Sequence, residues 1–201
     1  MVDQTGQSCP VSEKPQPRKR HATGRVSREQ WLEAALSALA QGGVAAVRVD
    51  ALAKSLSISR SGFYWHFADR GALLDEMKDY WAGTFTESVA RQATPEESDP
   101  RGQLYALSEL IQKSGANQYD LAFWSWARSD PDVAVLVERV AKFRDAHVRG
   151  LIAALGFSGD DLEARTRLFV TYHSWGSTMY GDRPASEAAA RRIVDVIVAT
   201  A

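Results

Sequence analysis

The sequence predicts an all-α protein of about nine helices, and three observations support this fold class. Apolar residues recur at helical intervals along most of the 201 residues, as at Trp31, Ala35, Leu36 and Leu39. Two Asp-Pro pairs, at 99–100 and 130–131, supply an N-cap oxygen followed by proline at the first helical position. No segment shows the period-two alternation between turn signals that indicates β-hairpins.

The first four predicted helices follow from local signals. Ser27 and Gln30 have capping-box spacing, and Gly42-Gly43 ends the first helix. The second helix takes Asp50 as its cap, and Asp69 caps the long fourth helix. A tight turn at Ser57-Ile58-Ser59 separates the second helix from the third. The four helices are predicted at about 27–42, 50–56, 60–67 and 69–92.

Five more helices are predicted after the polar connection TPEESDPRG, which is rich in helix breakers. Pro100 begins the fifth helix, and Asn117 is predicted to cap the sixth, which contains LAFWSWA. The last three are predicted at 131–156, about 160–180 and about 184–199.

The charge of the chain is distributed unevenly. Residues 1–70 carry 10 Lys and Arg against 6 Asp and Glu, a net charge of +4, whereas residues 71–201 carry 14 against 19, a net charge of −5. The basic end favours contact with nucleic acid. Within it, residues 1–24 are predicted to be a disordered tail with a basic cluster at 18–21. This tail is equally consistent with a solvated leader and with an arm for the DNA minor groove.

Composition and motifs exclude several classes of protein. The chain has no apolar run approaching 18 residues and no apolar leader at its start, and its single cysteine, Cys9, fits a reducing cytoplasm. Phosphate-binding glycine loops, Cys-x-x-Cys, His-Glu-x-x-His and Gly-x-Ser-x-Gly are all missing from the sequence. No cofactor, metal site or catalytic residue is therefore predicted. His147 and His173 are candidates for an acid/base pair, but the sequence places no nucleophile and no metal ligands near them.

Four aromatic rings within residues 63–67 mark the segment with the clearest function. Two short helices joined by a tight turn are the ingredients of a helix-turn-helix, predicted at about 48–67 within a domain at 25–85. In this arrangement Phe63 and Phe67 face the helical core. Arg60, Ser61 and Tyr64 face outward, towards a DNA groove, and Gly62 leaves room for close approach.

The stretch VDALAKSLSISRSGFYWHFADRGALL resembles the tetracycline-repressor (TetR) family of bacterial transcription regulators. The resemblance covers residues 27 to about 81 and implies base contacts by Arg60 and Ser61 and phosphate contacts by Tyr64, His66 and Arg70. Two positions depart from the family pattern: Arg48 replaces a capping threonine, and Ser57 stands where a turn glycine is common. The predicted DNA-binding residues are Arg48, Ser59, Arg60, Ser61, Gly62, Tyr64, Trp65, His66 and Arg70.

The same resemblance implies that residues 93–201 form a helical domain that binds a ligand and dimerises. The ligand candidates are Tyr105, Trp124, Phe143, His147, Tyr172 and His173, each of which also fits an ordinary core position. The dimer candidates are Leu168, Trp175, Met179, Ile193, Val196 and Ile197. The eighth helix carries two apolar stripes, 168–172–175–179 and 169–173–176–180, and the sequence does not say which one faces a second subunit.

These expectations together describe a cytoplasmic homodimer that regulates transcription. The resemblance implies a repressor that leaves a palindromic operator when a small molecule binds the C-terminal domain. The alternative is a helical small-molecule-binding or catalytic protein whose DNA-binding end is vestigial.

Overall fold

The computed structural model describes residues 26–93, 99–180 and 187–199, and every regular element in these ranges is helical. The prediction of an all-α protein is confirmed. The basic tail and Cys9 lie outside the described residues. The α-helices are α1 (Arg28–Gly42), α2 (Val49–Ser55), α3 (Arg70–Ala82), α4 (Ser88–Ala93), α5 (Pro100–Ser114), α6 (Asp120–Ala127), α7 (Pro131–Ala154), α8 (Gly159–Tyr180) and α9 (Glu187–Ile197).

Most of the predicted helix starts have the expected caps. Ser27 and Gln30 form both bonds of a capping box at the start of α1. The Asp69 carboxylate accepts from the Ala72 amide at the start of α3. Asp99 and Asp130 each cap a helix whose first residue is proline. Local side-chain chemistry was sufficient to predict these starts because the backbone amides that each cap binds lie in its own first turn.

Two predicted caps are wrong. Helix α2 begins at Val49, directly after Arg48, and has no side-chain cap, because Asp50 lies in the first turn and pairs with Arg60. Asn117 lies in a 3₁₀ helix that precedes α6, and its amide donates to the His173 carbonyl 3.1 Å away. In both cases a tertiary partner takes the polar side chain that the local pattern assigned to a helix end.

The predicted fourth helix is divided into three parts. Helix α3 continues into a π-helical segment at Gly83–Glu87, and α4 then completes the run. The wider turn puts Phe85, Thr86, Val89 and Ala90 along one side, against an internal cavity. Single π-helical turns inside longer helices are frequent at functional sites.

The turn after α2 is a Schellman motif. The Ile58 amide donates to the Ala53 carbonyl at 3.0 Å, and the Ser57 amide donates to the Lys54 carbonyl at 3.1 Å. Ser57 occupies the position that glycine usually takes, with a φ of 56°. The backbone turn for which glycine is the usual residue is therefore formed here with a serine.

Two clusters of buried apolar side chains hold the helices together. The first joins α1, α2, the Phe63–Phe67 pair and α3 to α6 and the first half of α7. Its centre includes Trp81 stacked on Phe123, with ring centroids 4.1 Å apart. The second cluster joins α4 and α5 to the second half of α7, α8 and α9.

The cores do not divide where the sequence predicted a domain boundary, between residues 85 and 93. Phe123 and Trp126 belong by sequence to the predicted C-terminal domain, yet they pack with the helix-turn-helix core. The predicted domain ranges, 25–85 and 93–201, therefore do not correspond to two separate hydrophobic cores.

Candidate nucleic-acid interface and internal cavity

The third predicted helix is a short 3₁₀ helix at Arg60–Trp65, here named the recognition segment. Phe63 is fully buried between Trp31 and Phe67, with ring centroids 5.4 and 5.2 Å away. Tyr64 and Trp65 lie outside this core and are 63% and 75% exposed. One buried ring therefore fixes the segment while the neighbouring rings remain at the surface, where hydroxyl and indole groups are donors for phosphate oxygens.

Arg60 is the exposed cation at the start of the recognition segment. Its guanidinium lies 3.1 Å from the Asp50 carboxylate of α2, and both side chains are mainly exposed. Ser59 and Ser61 follow the same surface, with their hydroxyl oxygens 2.7 Å apart. Such a surface ion pair contributes little and exchanges readily, so Arg60 remains available for a stronger acceptor.

His66 and Arg70, for which phosphate contacts were predicted, bond to backbone carbonyls of the same chain. The His66 Nε2 bonds with the Val26 carbonyl at 2.9 Å, which holds the chain at the entry to α1. Arg70 donates from Nε to the Val47 carbonyl and from Nη2 to the Val44 carbonyl, each at 2.6 Å. The structure gives both residues a positioning role that sequence spacing did not reveal.

Gly62 also differs from its predicted role. A Cβ at this position would lie 3.2 Å from the Cδ1 atom of Ile58 in the preceding turn. The absent side chain therefore makes room for a residue of the same domain, rather than only for an approaching DNA backbone. Arg48 is exposed at the start of α2, as a phosphate contact would require.

An internal cavity of about 50 Å³ lies among the π-helical segment, α4, α5, α7 and α8. This volume holds a few water molecules. Its lining is mostly apolar, from side chains such as Phe85, Leu107, Val148 and Phe169. Its polar lining residues are Thr86, Asn117, Asp120, Arg144, His147, His173 and Ser174.

A buried ion pair forms one wall of this cavity. Asp120 is fully buried and receives hydrogen bonds from both terminal nitrogens of Arg144. The Trp81 indole also donates to Asp120, at 3.2 Å, and Arg144 donates to Thr86 at 3.0 Å and to Ser174 at 3.4 Å. The network thus joins α3 and the π-helical segment to α6, α7 and α8. No local pattern marks it, since its members are far apart in sequence.

The two histidines of the cavity have different environments. His173 is buried with both ring nitrogens bonded, one to the Phe169 carbonyl and one to the Ser108 hydroxyl, each at 2.8 Å. Burial lowers the pKa of His173 from 6.5 to about 4, so the ring is neutral near pH 7. Burial also lowers the pKa of His147, whose Nε2 is buried and has no hydrogen-bond partner. An acid/base pair is not formed, because His173 has no free nitrogen.

The cavity includes three of the six predicted ligand residues: Phe143, His147 and His173. The other three lie elsewhere. Tyr105 donates a hydrogen bond to Asp195 on α9, and Tyr172 packs edge-on against the outer side of His173. Trp124 is 43% exposed, near Trp175, with ring centroids 6.1 Å apart. Aromatic content alone did not distinguish rings of the cavity from rings of the surface.

The two stripes of α8 separate clearly. Phe169 and His173 are buried, whereas Leu168 is 61% exposed and Tyr172 and Trp175 are half-buried. The stripe that begins at Leu168 therefore faces outward. Within α9, Ile197 is buried in the second core cluster, Val196 is exposed and Ile193 is half-buried, and the dimer contacts of these residues stay a prediction. The Met179 side chain lies outside the described residues.

A comparison with protein families gives a match at residues 32–77 to the family described as bacterial regulatory proteins, tetR family. The match spans most of α1, all of α2 and the recognition segment, and most of α3. Over residues 32–77 the chain is therefore similar to the tetR family. The comparison with curated proteins gave no match.

Solved structures with this TetR fold match most of the chain. A TetR-family regulator from Bordetella parapertussis is 19% identical and covers 85% of this chain and 93% of its own, with a TM-score of 0.67. The TetR-family regulator PfmR from Thermus thermophilus is also 19% identical, covers 88% and 97%, and has a TM-score of 0.66. The regulator FadR from Bacillus subtilis, solved with stearoyl-CoA, is 14% identical, covers 86% and 98%, and has a TM-score of 0.59.

The matched family and these structures are transcriptional regulators rather than enzymes, in agreement with the sequence prediction. Among the described residues, no three His, Cys, Asp or Glu side chains gather as metal ligands. None of the helices in the described ranges is long and apolar enough to cross a membrane.

Proposed function

We propose that this protein is a ligand-responsive repressor of the TetR family that binds a palindromic operator as a homodimer. The observation that supports this most directly is the continuity between the two sites. Helix α3 bonds through Arg70 to the loop that leads into α2, and the same helical run continues into the wall of the cavity. FadR, a regulator of the same fold, has been solved with a small molecule, stearoyl-CoA.

The DNA contacts in this proposal come from the exposed side of the recognition segment. Arg60 donates to a guanine edge after leaving Asp50, and Ser61 lies beside it. Tyr64, Trp65 and Arg48 supply donors for the phosphate backbone. One short segment contacts few bases, so two copies are required for a specific site, and the operator is palindromic because the dimer is two-fold symmetric.

The dimer in this proposal forms through the outward stripe of α8 and the exposed edge of α9. Leu168, Tyr172, Trp175 and Val196 contribute apolar surface there, and an isologous interface needs one such self-complementary patch. A ligand in the cavity alters the packing of the π-helical segment and thus the position of α3. A coupling of about 1–3 kcal/mol, typical of allosteric proteins, is sufficient to lower operator occupancy.

The test is to select bound duplexes from a random DNA pool and to measure affinity for the selected site. We expect an inverted repeat, a complex with two chains per site, and an affinity that falls steeply with salt concentration as counterions are released. Arg60→Ala should reduce the free energy of operator binding by about 1–3 kcal/mol and relax the sequence preference. Tyr64→Phe should weaken binding to all DNA sequences alike. Selection of no common sequence, or a monomeric complex, would contradict the proposal.

A further inference from the structure

The cavity contains one polar atom whose bonding is incomplete. The Nε2 atom of His147 is buried and has no hydrogen-bond partner. A buried polar group without a partner is costly, and such groups in native proteins call for a physical reason. His147 lines the cavity, and its Nε2 atom has almost no surface open to water, so a ligand that displaces part of the lining is positioned to supply the missing bond.

The second histidine and the ion pair of the cavity already have their partners within the protein. His173 uses both ring nitrogens within the protein. Arg144 directs four hydrogen bonds to Asp120, Thr86 and Ser174. His147 is therefore the lining side chain with an unmet bond among those whose hydrogen bonds are described.

The charge of the lining argues against an ionic ligand. Asp120 and Arg144 are the only fully charged side chains among the described lining residues, and they pair with each other. An anion that binds Arg144 must displace the Asp120 carboxylate, which is fully buried and also receives the Trp81 bond. Leaving that carboxylate buried and unpaired is strongly unfavourable.

Most of the remaining lining is apolar, and its edge is partly open to solvent. Phe143 is 38% exposed and its ring is parallel to that of His147, with centroids 6.1 Å apart. A benzene-sized molecule needs a cavity of about 150 Å³, which is larger than the 50 Å³ present. A rotation of the half-exposed Phe143 ring, with no change in the helices, is the simplest way to enlarge the space.

We infer that the cavity takes a small, uncharged, mainly apolar molecule that carries a hydroxyl group, and that this hydroxyl bonds to the Nε2 atom of His147. A hydroxyl both donates and accepts, so it satisfies either neutral tautomer of the imidazole. This inference rests on the proposed function in taking the cavity as the ligand site.

The test uses phenol, toluene and benzoate, which share a ring and differ in one substituent. Binding to the full chain is measured by calorimetry near pH 7, in the wild type and in His147→Leu. We expect the preference for phenol over toluene to fall about tenfold in His147→Leu, since one hydrogen bond to a buried group is lost. Benzoate should bind more weakly than phenol. Phe143→Leu, the matched control, changes the same cavity and should leave the phenol-to-toluene ratio unchanged.

A measurement on the wild type makes the test independent of how the variants fold. The ¹⁵N resonance of the His147 Nε2 should shift on titration with phenol and remain nearly unchanged with toluene. The inference is overturned if phenol does not bind at millimolar concentration, if the preference survives His147→Leu, or if benzoate binds as tightly as phenol.

The ligand class and the regulatory response are separated by a parallel measurement of operator affinity. Selective phenol binding without release of DNA would uphold the ligand class and contradict the proposed response. Release of DNA by some other molecule, with no phenol selectivity, would uphold the response and overturn the ligand class.

Discussion

Ser57 has an unfavourable backbone conformation. It is the one non-glycine residue in the described part of the chain with a positive φ, 56°, because it occupies the left-handed position of the Schellman motif after α2. For a residue with a Cβ atom this conformation costs about 1–2 kcal/mol. The helix-turn-helix therefore contains strain at the junction of its two helices.

We predict that Ser57→Gly stabilises the protein by about 0.5–1 kcal/mol, since relief of strain exceeds the added entropy of the unfolded chain. Ser59→Gly is the matched control. Ser59 has a φ of −80°, so its replacement by glycine should destabilise by a similar amount. Urea unfolding of both variants measures the difference, and a loss of stability in Ser57→Gly would contradict the interpretation.

His173 gives the fold a dependence on acid. Burial lowers its pKa to about 4 from 6.5, so the unfolded chain binds a proton more readily than the folded protein does. The stability contribution is fully present above about pH 6.5 and is lost as the pH falls towards 4. Its size is about 3 kcal/mol.

We predict that the free energy of unfolding decreases as the pH is lowered from 7 to 4.5, with His147 acting in the same direction because burial lowers its pKa as well. His173→Gln removes this titration and should flatten the decrease. Urea unfolding at several pH values checks the slope. An equally steep decrease in His173→Gln would assign the effect to other groups.

At the scale of elements, α2 and the recognition segment are joined by the Arg60–Asp50 pair. We predict that Asp50→Asn tightens DNA binding about two- to fivefold, because it removes both a surface ion pair worth less than about 1 kcal/mol and a negative charge beside the phosphates. Asp161→Asn, which removes an exposed carboxylate that pairs with Arg165 on α8, should leave affinity unchanged. Fluorescence anisotropy with the selected duplex measures both, and weaker binding by Asp50→Asn would show that the pair positions Arg60.

The Asp120–Arg144 pair lies at the centre of a polar network that connects several helices. We predict that Asp120→Asn destabilises the protein by about 3–5 kcal/mol, since the Arg144 charge is left largely buried without its partner. Glu138→Gln disrupts an exposed pair with Lys142 and should cost less than about 0.5 kcal/mol. Denaturant unfolding separates the two; similar small losses would mean that water replaces the carboxylate at Arg144.

At the scale of the whole molecule, the helix-turn-helix shares its core with α6 and α7. Trp81 stacks on Phe123, and Val133 and Val137 complete the same cluster. We predict that a fragment ending at residue 93 does not unfold cooperatively, because that face of α3 loses its cover. Circular dichroism on heating tests this. A cooperative transition near that of the full chain would show that the elements from α1 to α4 are sufficient for a stable fold.

The cavity and its polar network are the parts that sequence reasoning predicted least well. Phe143, His147 and His173 were expected there, whereas Thr86, Asp120 and Arg144 were missed. No periodicity or motif relates these three positions, since a π-helical turn and two separate helices bring them together. Trp124 and Tyr105 were assigned to the site because aromatic residues are common both in cavities and on interface surfaces.

The sequence by itself determined the features whose causes are local. The caps at Ser27, Asp69, Asp99 and Asp130 bond within one turn, and helical periodicity specifies which ring of the recognition segment is buried. The motif at 48–67 is also contiguous, so its resemblance to the TetR family is visible without coordinates.

Tertiary structure alone decided the features whose partners are distant. It engaged His66 and Arg70 with the backbone at the entry to α1 and in the loop before α2, and it turned the Leu168 stripe of α8 outward. It also merged the predicted domains into cores that cross their boundary. Each outcome depends on which surfaces meet when the helices pack, and the spacing of residues along one helix does not contain that information.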